Sequence, residues 1–118
     1  MSLQSEQIFQ INLINWFTHT YPQFEEDIHH FANERQCHVQ QGRVLKRMGV
    51  KRGVSDIFIA VPSSNKSGLW LELKVNQNKP SKEQVEFLER KTQRGYAAFC
   101  AWDLEQAISI INNYLQEN

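Results

Sequence analysis

Apolar residues recur near the start of the chain at Ile8, Ile11, Ile14 and Phe17, with Leu13 and Trp16 alongside. Steps of three predict a helix over residues 4–20 with its apolar groups on one side. Ser5 or Ser2 can cap its start, and Tyr21-Pro22 ends it, because the residue before a proline is driven out of the helical region. The acidic stretch from Pro22 to Asp27 has no periodicity that assigns it. His29 to Val39 reads as a short strand or an irregular segment, and Arg43 to Met48, set among Gly42, Gly49 and Gly53, reads as a short helix.

From Asp56 the pattern changes. Asp56 to Val61 is a β-branched and aromatic run closed by Pro62, which predicts a buried strand. Pro62 to Gly68 is turn chemistry. Leu69 to Val75 alternates, with Leu69, Leu71, Leu73 and Val75 on one side and Trp70, Glu72 and Lys74 on the other. Ser81 and Gln84 form a capping-box pair opening a helix to about Arg94, and Gly95 suits its C-terminal cap. Tyr96 to Trp102 predicts a third strand. Asp103 then caps a last helix that buries Ala107, Ile108, Ile111, Tyr114 and Leu115. No linker, repeat or low-complexity segment interrupts this order, so residues 1–118 read as one α/β domain.

Composition narrows the class. An apolar fraction of 41% and a charged fraction of 22% in 118 residues fit one globular domain with a core, not a disordered chain. The formal net charge is zero, so a globally basic nucleic-acid binder is not indicated and the placement of charge matters instead. Two cysteines, Cys37 and Cys100, make no disulfide framework. Residues 1–10 lack the basic-then-apolar pattern of a signal peptide, and no apolar run has the length of a membrane span. A cytoplasmic setting without a membrane partner is the expectation.

A hairpin turning near Asn65 places Asp56 opposite Lys74 and Phe58 opposite Glu72, so Asp56 and Glu72 fall within a rung of each other. Diagonal neighbours in a sheet lie roughly 7–8 Å apart, close enough for two inward carboxylates to share one cation. Lys74, two residues past Glu72, projects from the same face. Two carboxylates can hold Mg2+ while leaving positions for phosphate and water, and an ammonium beside them can orient water and offset developing charge. The same spacing also fits an exposed cross-strand salt bridge with no chemistry.

The wider motifs decide between these readings. Gly49-Val50-Lys51-Arg52-Gly53-Val54-Ser55-Asp56, then Glu72-Leu73-Lys74, then Lys79-Pro80-Ser81-Lys82-Glu83-Gln84, then Gly95-Tyr96 resemble the VRR-NUC family, the virus-type replication-repair nucleases of the PD-(D/E)xK superfamily. The resemblance covers nearly the whole chain. It implies a restriction-endonuclease-like α/β core, a mixed sheet flanked by helices, and hydrolysis of DNA with Mg2+ or Mn2+. It further implies Asp56, Glu72 and the Leu73 carbonyl as metal ligands, Lys74 as the catalytic lysine, Gln84 as an active-site support and Glu6 as an additional acid near the metal. Stand-alone phage members are similar in size, which implies a phage or prophage origin in a bacterial cell and a homodimer acting on branched DNA such as four-way junctions. Two positions depart from the family pattern: Ser55 stands where proline is usual, and Glu34-Arg35 follow Asn33 where a glycine pair is usual. The second departure leaves Glu34 as a rival to Glu6.

Arg35, Arg43, Lys46, Arg47, Lys51 and Arg52 fall between Arg35 and Ser55 with no acidic residue among them. This local positive patch leads into Asp56 and suits contact with phosphates, with Arg43, Lys46, Arg47, Lys51 and Arg52 as the DNA-binding set. Lys79 and Lys82 extend it. No base-reading motif accompanies the patch, so shape is the expected basis of recognition. His29, His30, Cys37 and His38 lack structural-zinc spacing, Cys100 reads as an inert buried thiol, and Trp16 and Trp102 as core or interface. Trp70 either walls the site or packs on a helix. The competing functional reading is a non-catalytic DNA-binding accessory module built on a nuclease-like fold.

Overall fold

The computed structural model describes residues 5–31, 39–51 and 53–116. The chain begins with helix α1 (Ser5–Thr20) and continues through a 3-10 helix (Pro22–Asp27) into strand β1 (Ile28–His30) and helix α2 (Val39–Arg47). Strands β2 (Ile57–Ile59) and β3 (Leu69–Leu73) form the hairpin. Helix α3 (Lys82–Gln93), strand β4 (Ala97–Ala101) and helix α4 (Leu104–Gln116) complete it.

The four strands lie in chain order, β1-β2-β3-β4. The first two pairings are antiparallel, and β3 with β4 is parallel because α3 carries the chain back across the sheet. The result is the mixed sheet flanked by helices expected from the sequence. Among the described residues, no helix is long and apolar enough to cross a membrane.

Alternation in the strands sorts side chains into two layers. Ile57, Ile59, Leu69, Leu71 and Leu73 are buried against Phe9, Leu13 and Phe17 of α1 and Ala107, Ile111 and Tyr114 of α4. On the other face, Trp70 stacks on Phe58 with ring centroids 4.3 Å apart and meets Phe87 of α3 edge-on at 4.9 Å. Trp70 is thus a packing residue under α3.

Two expectations are corrected, and one segment the sequence left unassigned is resolved. In α1 the buried stripe is Phe9–Leu13–Phe17, while Ile8 and Ile11 are 46% and 44% exposed. The helix carries two apolar stripes, and the one with larger rings, spaced four apart, fills the sheet-facing space. The segment from Pro22 is a 3-10 helix, with proline at its first turn, where its missing N–H costs nothing.

The hairpin register also differs. The turn centres on Ser64 and Asn65, both at positive φ, with Ser63 bridging Lys66. Between that bridge and the Ile59–Leu69 pair, three residues lie on the β2 side and two on the β3 side. Pro62, unable to donate to a ladder, lies in that three-residue arm, so the strand slips there. The ladder pairs Ile57 with Leu71 and Phe58 with Trp70, which sets Asp56 opposite Glu72 instead of Lys74. The offset from the expected register is two residues, so every side chain keeps its expected face.

Candidate active site

Asp56 sits one residue before β2, held at both its main chain and its side chain. Its carbonyl accepts from Phe31 N at 3.0 Å, and Oδ2 accepts from Leu73 N at 2.8 Å. His30 Nδ1 also lies 3.1 Å from that carbonyl. The short β1, the least legible strand in the sequence, therefore fixes the first acid.

Glu72 and Lys74 are 1% and 7% exposed, which excludes a solvated surface salt bridge. Lys74 Nζ lies 3.6 Å from Glu72 Oε2. The Lys74 backbone N–H donates to Ala101 O at 2.9 Å, continuing the β3–β4 ladder one step past the strand and pinning the lysine beside the acid. Glu72 Oε2 also accepts from Gln84 Nε2 at 2.9 Å. Its other oxygen, Oε1, is buried without a hydrogen-bond donor among the described residues.

Burial pushes the Glu72 carboxyl up to about 8. The Asp56 charge and a hydrogen bond from the protonated Glu72 carboxyl to Asp56 add to the rise, Glu6 adds a further push, and Lys74 opposes them. Two carboxyls in contact inside a protein must share either a proton or a cation. The buried oxygen without a donor, the second acid opposite Glu72 on the neighbouring strand and an all-oxygen donor set fit a hard divalent ion such as Mg2+ or Mn2+. Glu6 acts on Glu72 at a distance: among the described residues no three acidic, histidine or cysteine side chains gather closely enough to hold a metal.

Gln84 has two roles at once. It closes the Ser81 capping box at the start of α3, and it binds Glu72. Cys100 was missed. Register pairs it with Glu72 on the neighbouring strand, so both project from one face. Its thiol is only partly buried and is pushed up to about 11, by burial first and then by the Glu72 charge, so it stays protonated at neutral pH. The parallel pairing of β3 with β4 is the signal that would have found it.

Arg43, Lys46 and Arg47 lie along exposed α2, and Lys51, Lys79 and Lys82 are also exposed. Arg52, Asn33, Glu34, Arg35, Cys37 and His38 lie outside the described residues. His29 and His30 are exposed on β1.

No protein-family model matches the sequence, and no curated protein matches it. Among solved structures, one named "VRR_NUC domain protein" superposes with a TM-score of 0.84 and 27% sequence identity, covering 98% of this chain and 92% of that one.

Proposed function

We propose that the chain is a nuclease of the VRR-NUC type, as its likeness to the structure named "VRR_NUC domain protein" supports, and that it is a metal-dependent DNA endonuclease hydrolysing phosphodiester bonds at branched DNA such as four-way junctions. The observation that carries this reading is the burial of Glu72 and Lys74 on one face, with partly buried Asp56 opposite Glu72 and with Glu72 Oε1 left without a donor among the described residues. Burying two acids together is costly unless something offsets the charge, and a purely structural cluster would be better served by apolar side chains.

Asp56 and Glu72 would hold Mg2+ or Mn2+ with the Leu73 carbonyl, and Glu6 would add its negative charge nearby. When bound, the cation supplies charge neutralisation on the phosphate and activation of water. Lys74 Nζ, 3.6 Å from Glu72 Oε2, would orient the attacking water and meet charge on the phosphate. Gln84 holds Glu72 in place. Arg43, Lys46, Arg47, Lys51 and Arg52 would contact backbone phosphates on the approach to the site. Two copies in a symmetric dimer would place two sites at matched points of a symmetric junction.

A cleavage panel with Mg2+ or Mn2+ on a four-way junction, a flap and a linear duplex tests this. Preferential cutting of the junction, lost in Asp56→Ala and Lys74→Ala, is expected. Equal cutting of all three substrates removes the selectivity. Binding without cleavage by the parent chain would make the protein an accessory DNA-binding module.

A further inference from the structure

We propose that Ser81 is a positioning residue for the metal site, acting through Gln84 to determine which Glu72 oxygen faces the cation; this rests on reading Asp56 and Glu72 as metal ligands. Ser81 is exposed; its side chain and backbone N–H bond Gln84 and its carbonyl accepts from Val85 N, so among the described residues it reaches neither carboxylate directly. Its backbone N–H donates to Gln84 Oε1 at 2.7 Å, and its Oγ accepts from Gln84 N at 3.2 Å. With Oε1 occupied in this way, the other end of the amide, Nε2, is directed at Glu72 Oε2.

The three bonds form one chain of complementary partners. Flipping the Gln84 amide would set an NH2 group against the Ser81 N–H and, with Glu72 ionised as a metal ligand, a carbonyl oxygen against its carboxylate, so both contacts would turn repulsive. The capping box thereby fixes Gln84 as a donor toward Glu72. Gln84 and Lys74 both engage Oε2, which leaves Oε1, without a partner among the described residues, as the oxygen available to a cation. The Oγ bond matters because it holds the N-cap residue against the first turn of α3, and with it the N–H that grips Gln84. A capping residue with no further role would affect helix stability alone.

Mn2+ binding to the full chain, measured calorimetrically without DNA alongside thermal melting, separates the two roles in Ser81→Ala, Ser81→Thr, Gln84→Met and the Ser81→Ala/Gln84→Met double variant. Ser81→Ala is expected to weaken Mn2+ binding about threefold to tenfold, Ser81→Thr to stay within about twofold of the parent, and Ser81→Ala to add less than about twofold once Gln84 is methionine. Unchanged Mn2+ affinity in Ser81→Ala, or an equal loss in both backgrounds, overturns the proposal even while the parent binds metal. A parent that binds no Mn2+ overturns the metal reading itself and this inference with it.

Discussion

A carboxyl that titrates near pH 8 keeps its proton at neutral pH, and for Glu72 this has a consequence for stability. Its folded value lies above the ordinary 4.5, so between about 4.5 and 8 the native state holds a proton that the unfolded chain has released. Stability of the metal-free protein is therefore full below that window and falls as pH rises through it. Thermal melts in a chelator should show this decline, and Glu72→Gln should flatten it. Metal uptake near neutral pH should release a proton and restore more stability at the alkaline end than at the acid end; a pH-independent melting point in the chelator would contradict the assignment. Ser55 offers a second test at this scale. It is fully buried, and its hydroxyl has no partner among the described residues. Ser55→Ala should be neutral or stabilising by up to about 1 kcal/mol in denaturant unfolding, since it removes an unsatisfied polar group.

Among the elements, α1 shows how two apolar stripes compete for one sheet. Phe9 and Leu13 are buried while Ile8 is nearly half exposed, although all three are equally apolar in the sequence. Leu13→Ala should cost about 2–5 kcal/mol by chemical denaturation, and Ile8→Ala should stay within about 1 kcal/mol. Comparable losses at both positions would mean the other stripe packs in solution. At the start of α3, Gly53 is at φ +78, and a Cβ there would lie 2.7 Å from the Glu83 backbone. The end of the basic segment is thus pressed against the helix that carries Gln84. Gly53→Ala should destabilise by about 1–3 kcal/mol through backbone strain and that clash, read as a lower denaturation midpoint. The hairpin teaches the same lesson about elements. Its existence and faces were legible from alternation and turn residues, but the slip near Pro62 belongs to the pairing of two strands and has no single-strand signature.

For the whole molecule, neutrality conceals a division of charge. Glu25, Glu26 and Asp27 gather in the 3-10 helix, whereas Arg43, Lys46 and Arg47 stand together on exposed α2. If that helix contacts phosphates, replacing all three by alanine should weaken DNA binding evenly across sequences and reduce the salt dependence by about one unit of slope per lost contact. A binding isotherm series over salt concentration checks this, and an unchanged slope would remove α2 from the interface. The layered arrangement explains why the site forms where it does. Apolar packing by α1 and α4 on one face leaves the other face of β3 for Glu72 and Lys74, under the shelter of α3.

The sequence by itself determined what depends on local chemistry. Alternation in Leu69–Val75, the Ser81/Gln84 box, Gly95 after α3 and the Asp103 cap each name an element or a face, because period and capping are properties of a few neighbouring residues. Asp56, Glu72 and Lys74 were legible as a set for the same reason: same-face spacing within one strand and proximity across one turn. Only the tertiary structure decided that Glu72 and Lys74 are buried, that Asp56 faces Glu72, that Cys100 stands beside it and that Gln84 spans the cap and the acid. Those facts depend on which strands pair, in what register and beneath which helix. They arise from contacts between residues distant in the chain, where local periodicity carries no information.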